Sequence, residues 1–288
     1  MGLHVGRNLL KGGFPVVGYD LRREALAAFE QAGGQRADSL ADLGARCTHV
    51  VLFVVNAQQA RAVLQGQTNT PGVLATLRQG VVALCTTVLP QDAQDLGALA
   101  AQNGVQLLDC PVSGGTAGAA AGSLTIMAAG ARAAYDQTTP VFQAFGQNLY
   151  YLGETLGLGS TMKMVNQLLV GVHIAAAGEA MAFGVQAGIA PELIYDVVTR
   201  SAGNSWAFQD RVPRILQGAY TPPSSSVDIF VKDLGIVLDS ARHMPLPLPL
   251  ASSAHQQFLA ASAAGWGEQD DSSVVRVYAK LAGLALPD

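Results

Sequence analysis

Short β-branched apolar runs alternate with amphipathic stretches over the first half of the chain. Residues 14–19 precede a helical pattern over 21–32, and residues 47–55 precede one over 58–64. Residues 80–87 are followed by a helix over about 91–103, then by runs at 105–108 and 123–128. Strands and helices in this alternation build βαβ units and a parallel sheet covered on both faces. Past Gly153 the strand patterns stop. Residues 160–188 read as one long helix, small and apolar on most faces, and further helical patterns cover 191–201, 228–242, 249–263 and 272–284. The pattern predicts an α/β domain over 1–153 and an all-helical domain over 154–288. A helix apolar nearly all round must be covered on several sides, which in a chain this small points to a partner subunit.

Composition narrows the function classes. With 288 residues, half of them hydrophobic, the chain can bury a large core. Only 13% of residues are charged and the formal net charge is -4, so there is no basic field to hold a nucleic-acid backbone. The greasiest stretch, 168–187, is interrupted by His173 and Glu179 and predicts no membrane span. The start, MGLHVGRNLLKGG, has no apolar core of a signal peptide, which makes the cytoplasm the expected compartment. Cys47, Cys85 and Cys110 have no metal-ligand spacing and read as buried thiols, so no metal is expected.

Candidate chemistry begins at Val16-Val17-Gly18-Tyr19-Asp20, which looks like a second Rossmann strand ending in an acidic residue. A carboxylate there accepts hydrogen bonds from ribose hydroxyls and repels a 2′-phosphate, which favours NAD over NADP, although Arg22 and Arg23 follow closely. The alternative for Asp20 is a helix N-cap or turn residue. A first strand and a GxGxxG turn should stand about twenty residues earlier. Only the last piece is visible: Gly2 looks like the final glycine of that fingerprint, and residues 3–10 like the helix behind it. The expectation is that the first strand lies upstream, a methionine inside the glycine turn having been taken as the start. The alternative is that the protein begins at Met1 and binds cofactor differently or not at all.

Two further constellations stand out. Asp109-Cys110-Pro111-Val112-Ser113-Gly114-Gly115-Thr116 opens from a strand into Ser-Gly-Gly, where Ser113 and the bare backbone of Gly114 and Gly115 can form a nest for a carboxylate. At the head of the long helix, Gly157-Leu158-Gly159-Ser160-Thr161-Met162-Lys163-Met164-Val165-Asn166-Gln167 places Lys163 and Asn166 three apart on one face. A lone lysine on a helix is usually solvated. This one sits among apolar residues, where burial would lower its proton affinity and suit it to acid/base work.

In combination these motifs resemble a known family. DCPVSGG, GLGSTMKMVNQ, VKDLG (231–235) and GWGEQDDS (265–272), in that order, look like the β-hydroxyacid dehydrogenases, the group of 3-hydroxyisobutyrate and tartronate semialdehyde enzymes. Within it, LFVVNAQQ (52–59), GVHIAAAGEAMA (171–182), SAGNSW (201–206), VDIFVKDLG and PLPLASSA (247–254) are similar to the L-threonate dehydrogenase branch. The resemblance implies an α/β Rossmann domain, here lacking its first strand, a long interdomain helix, and an all-α domain used for oligomerisation as dimer or tetramer. It implies that Lys163 takes the hydroxyl proton while hydride leaves the substrate, that Asn166 binds substrate, and that Ser113, Gly114 and Gly115 grip its carboxylate. Asn204 before Trp206 supplies a polar contact to a polyhydroxy substrate, unless that segment is a loop whose Trp206 is core. Gly2, Asp20, Val55, Asn56, Thr87, Lys232 and Asp233 fall at the cofactor. The implied reaction is NAD-dependent oxidation of a small hydroxy acid, L-threonate at C2 foremost, with oxidation of 3-hydroxyisobutyrate or reduction of tartronate semialdehyde as alternatives. A reading of another class, a dinucleotide-binding module without catalysis, is opposed by Lys163.

Overall fold

The structure, a computed structural model, describes residues 1–284. The last four residues of the helical domain expected over 154–288 lie outside the described residues. The chain forms two units, one from Met1 to Lys163 and one that starts at Met164.

In the first unit α1 (Gly2–Lys11), β1 (Val17–Gly18), α2 (Arg23–Glu30), β2 (Gln35–Arg36) and α3 (Leu40–Arg46) are followed by β3 (His49–Leu52) and α4 (Ala57–Gln65). A small hairpin, β4 (Gly66–Gln67) and β5 (Thr70–Pro71), leads to β6 (Val81–Leu84), α5 (Pro90–Gln102) and β7 (Gln106–Asp109). Then come β8 (Val112–Ser113), α6 (Gly115–Ala121), β9 (Leu124–Ala128), α7 (Arg132–Gln143) and β10 (Gly146–Tyr151). β1 pairs with β2, β3 with β6, β6 with β7, and β9 with β10, all in parallel; β8 runs antiparallel to β9. β6 is buried at every position, as an uninterrupted apolar run requires when helices cover both faces. Val81 and Ala83 enter one apolar cluster with Leu108, Ile126 and Phe145, whereas Val82 and Leu84 enter the other with Leu96 and Leu107. That is the period-two alternation of a strand.

The expected strand at 14–19 pairs only over Val17–Gly18, and the expected strand at 47–55 only over His49–Leu52. These two strands are not bonded to each other. Between them lies a cleft of about 660 Å³, lined by Val5, Leu9, Val17, Val51, Phe53 and Pro140 among others.

The second unit is helical, as expected, with α8 (Leu158–Gln186) leading into it. α9 (Pro191–Thr199), α10 (Trp206–Gln217), α11 (Val227–Arg242), α12 (Pro249–Ala261) and α13 (Val275–Ala282) follow. Helix α8 alone among the described residues is long and apolar enough to cross a membrane by length and composition. Its Ile174 and Met181 are nevertheless buried in the clusters of the second unit, which makes it a core helix. A Cβ at Gly171 would stand 3.0 Å from the Leu234 side chain, and one at Gly184 would stand 2.4 Å from Ile194. Glycine at these positions lets α11 and α9 approach.

A buried ion pair anchors α10. Arg211 donates from Nε (2.6 Å) and Nη2 (3.0 Å) to the two carboxylate oxygens of Asp271, which is wholly buried. Asp270 beside it accepts from Ser224 N–H and from the hydroxyls of Ser224 and Ser272. Burial pushes the Asp271 carboxyl up to about 6 although Arg211 pulls it down. A folded-state value above the ordinary 3.8 means that Asp271 favours the folded state at low pH and that this contribution is lost as pH rises through about 6. Arg211→Met removes the downward pull and extends that loss to higher pH. We expect a loss of about 3–5 kcal/mol at pH 8, as for a broken buried pair, and a smaller loss at pH 5, where Asp271 is neutral. Urea denaturation at the two pH values checks this, and equal losses would contradict the pairing.

Candidate active site

Parallel strands β3, β6 and β7 end on one edge, and chemistry-bearing residues follow those ends, where α/β folds bind ligands. Asp20 lies two residues past β1, Val55 and Asn56 past β3, Thr87 past β6, and Asp109 closes β7. The Asp20 carboxylate accepts from the Arg22 backbone N–H (2.9 Å) and from its guanidinium at Nε (3.2 Å) and Nη2 (3.1 Å). Burial alone would raise this carboxyl, but the bonds from Arg22 hold it below the usual carboxylate range. Arg22, not Asp20, occupies the cap position of α2, and the bond from the Arg22 N–H to the Asp20 carboxylate gives Asp20 the turn role that its alternative allowed. Asn56 caps α4, its side chain accepting from Gln59 N–H, while Val55 N–H donates to the Gln59 side chain. Gly2 opens α1, and a Cβ there would lie 3.6 Å from the Cβ of Phe53.

Ser113 ends β8, and the chain turns through Gly114 (φ 131°) and Gly115 (φ 62°) into α6. Both angles lie where only glycine is comfortable. The expected Ser-Gly-Gly turn is present, but it leads into a short helix rather than an open loop.

Lys163 owes its position to Asp109. The Asp109 carboxylate has no exposed surface and accepts from Gly157 N–H (3.0 Å), Ser160 N–H (2.8 Å) and Ser160 Oγ (2.8 Å). It thereby satisfies donors that the first turn of α8 cannot pair internally. Its own N–H and C=O both bond Ala129, past the end of β9. Burial raises the Asp109 carboxyl above its ordinary value, and the bonds from Ser160 and Gly157 offset part of that. A Cβ at Gly159 would stand 2.4 Å from the Asp109 carbonyl oxygen, so the helix sits directly on the strand end. Lys163, three residues past Ser160, is 7% exposed. The sequence pattern did not reveal Asp109, because its partners lie about fifty positions away.

Asn166 follows Lys163 on the same helix. In the second unit it donates to the Gln167 side chain (3.0 Å), Gln167 donates to the buried Asp233 (2.5 Å), and Lys232 donates to the other oxygen of Asp233 (2.5 Å). Three expected site residues thus share one hydrogen-bonded chain, with Gln167 as the member the sequence did not mark. Asn204 lies in the turn between α9 and α10, donating to the Thr199 carbonyl (3.2 Å), while its Oδ1 is buried without a partner. Trp206 is 64% exposed at the start of α10, which overturns the alternative of a loop with a core tryptophan.

The residues of the first unit fit a dinucleotide. An acidic side chain follows β1, a small hydroxyl follows β6, and the bare head of α1 lies beside the end of β3. Among the described residues no group of histidine, cysteine or carboxylate side chains could hold a metal.

Comparison with known proteins agrees with this arrangement. Residues 1–153 match the model described as the NAD binding domain of 6-phosphogluconate dehydrogenase. Residues 157–278 match the NAD-binding model of NADP-dependent 3-hydroxyisobutyrate dehydrogenase. The L-threonate dehydrogenase of Cupriavidus necator is 50% identical, covering 100% of this chain and 95% of that protein. The crystal structure of a 3-hydroxyisobutyrate dehydrogenase from Salmonella typhimurium superposes with a TM-score of 0.89 at 42% identity, over 96% of this chain and 95% of that one. Psf3 in complex with NADP+ and 2-OPP follows at 0.87 and 26% identity, over 96% of each chain.

Asp109→Asn puts an amide donor where three donors already converge. We expect kcat to fall by about 10²-fold, the scale of a misplaced catalytic group, with KM changed much less. Steady-state kinetics on a hydroxy acid substrate checks this; wild-type kcat would show that the bond does not position Lys163.

Proposed function

From the premise that the chain belongs to the 3-hydroxyisobutyrate dehydrogenase family and is an NAD-dependent hydroxy acid oxidoreductase, we propose that its substrate is L-threonate, oxidised at C2 to the 2-oxo acid. The observation that carries the mechanism is the buried Lys163, one turn into a helix pinned to the strand ends by Asp109. The neutral amine of Lys163 accepts the proton of the C2 hydroxyl and becomes an ammonium as the C–O bond becomes a carbonyl. Ser113, Gly114 and Gly115 grip the carboxylate, and Asn166 and Asn204 bind the hydroxyl-bearing carbons. Gly2, Asp20, Val55, Asn56, Thr87, Lys232 and Asp233 hold the cofactor. NAD+, when bound, supplies the hydride acceptor.

The L-threonate dehydrogenase names among relatives 42–50% identical support this substrate. The Salmonella structure, named for 3-hydroxyisobutyrate, favours a second reading with that acid. We further assign the protein to the cytoplasm as a homo-oligomer, dimer or tetramer. In the second unit Phe183, Leu193, Val197 and Trp206 leave apolar surface exposed, which a second copy would cover.

A panel of L-threonate and 3-hydroxyisobutyrate with NAD+, and tartronate semialdehyde with NADH, followed by absorbance of the nicotinamide, separates the readings: the highest kcat/KM falls on L-threonate. Lys163→Ala lowers kcat by about 10²-fold or more while NAD+ still binds, since a general base acts only in the transition state. Near-normal turnover in that variant would remove Lys163 from the chemistry.

Cofactor choice follows from Asp20. The wild type favours NAD+, and Asp20→Ala narrows the preference, both by ending repulsion of a 2′-phosphate and by releasing Arg22. The ratio of kcat/KM for NAD+ and NADP+ in the two proteins measures it. A wild type that prefers NADP+ would mean that Arg22 or Arg23 governs the choice.

A further inference from the structure

Strands β3 and β6 run side by side in parallel, with Leu52 opposite Leu84. A bond from Cys85 N–H to the Leu52 carbonyl (3.0 Å) carries the ladder one step past β6. In a parallel ladder alternate residues turn their peptide groups to the same neighbour, so Val54 is the next residue to face that way. Regular pairing would bring its N–H to the Cys85 carbonyl. It donates instead to the Thr86 hydroxyl (3.3 Å), so a side chain takes the place of a ladder carbonyl where the two chains part. Thr86 is 2% exposed, which keeps it from touching a bound molecule, whereas Thr87 beside it is half-buried. Beyond Val54 the loop is held from α4. Val55 N–H donates to the Gln59 side chain (2.8 Å), and the Asn56 side chain accepts from Gln59 N–H (2.9 Å). The Val55 side chain is left 51% exposed.

We propose that Thr86 is a positioning residue for the dinucleotide: its hydroxyl fixes the root of the loop at residues 53–56 and so sets Val55 and Asn56 against the cofactor. The inference rests on the reading of those two residues as part of the cofactor seat. Gln59 holds the tip of the loop but belongs to α4, which the loop leads into. Thr86 ties the loop to the end of β6, a strand bonded on both sides, by β3 and by β7. Thr87, a hydroxyl assigned to the same cofactor, follows directly. One dipeptide thereby sets two parts of the seat relative to each other, Thr87 by its own side chain and Thr86 through Val54. Valine has the shape of threonine but cannot accept a hydrogen bond. Without an acceptor the Val54 N–H must turn to water, and the residues after it move with it. Cofactor binding then has to restore the loop, which weakens it. Lys163 is tied down elsewhere, by Asp109, so the loss falls on the cofactor and not on the chemical step.

Thr86→Val, Thr86→Ala and Thr86→Ser test it. In the protein without cofactor, exchange of the Val54 amide should quicken about fivefold or more in the valine and alanine variants and stay near wild type in the serine variant. The dissociation constant of NAD+ by calorimetric titration, and the KM for NAD+, should rise about fivefold or more in the same two variants, the scale of one lost hydrogen bond. The KM for the hydroxy acid and kcat should stay within about twofold, and Thr86→Ser should restore NAD+ affinity. Unchanged Val54 exchange, unchanged NAD+ affinity, a serine variant as impaired as the valine one, or an equal rise in the KM for the hydroxy acid would overturn the proposal. Val55→Glu tests the underlying reading, since it places a charge on the exposed part of the loop and leaves Thr86 in place. Weak NAD+ binding in Val55→Glu beside normal binding in Thr86→Val defeats the proposal alone. Normal binding in Val55→Glu defeats the reading of the loop as a cofactor seat, and the proposal with it.

Discussion

The first unit depends on one buried carboxylate. Asp109 joins three elements at once: its backbone continues β7 and bonds Ala129 past β9, while its side chain takes up the loose donors at the head of α8. A charge with no exposed surface is tolerable only where donors converge on it and the positive end of a helix faces it. Both conditions hold here, and Gly159 removes the side chain that would keep the helix off the strand. The placement of Lys163 is a consequence of that contact, because a lysine one turn into a helix is only as fixed as the turn beneath it.

In the second unit the same principle recurs in a different form. Asp233 is buried and receives Gln167 and Lys232, and Gln167 in turn orients Asn166. A polar network in which each member satisfies the next is rigid, whereas one with a missing member is costly. The expected substrate and cofactor residues Asn166, Lys232 and Asp233 are therefore set by one another as much as by their helices.

Much of this was legible in the chain. The β-branched runs gave the strand positions, and the three-residue spacing of Lys163 and Asn166 gave their shared face because the segment is helical. Helices α7 and α10 escaped notice since Pro140 and Pro213 interrupt their patterns, though both helices keep buried residues at helical spacing. α6 was hidden by its run of Gly and Ala, which carries no apolar stripe. Asp109 was visible only as part of a motif, for a residue's partners 48 to 51 positions away leave no local trace. β1 proved shorter than its apolar run because a strand pairs only where it has a neighbour.

Helix α8 carries a hazard during synthesis. Its 29 residues are greasy enough to pass for a membrane span, and glycines within it weaken the isolated helix. The surfaces that cover it are made later. Leu234, which packs on Gly171, emerges 63 residues behind it (234 − 171), and Val275, which packs on Gly178, emerges 97 behind (275 − 178). For that interval the part of the helix around Gly171 and Gly178 lacks the side chains that cover it in the finished fold. Transiently exposed apolar surface of this kind is prone to aggregate until its partners are made, so the stripe of small residues that makes the finished core close-packed is exposed longest during synthesis.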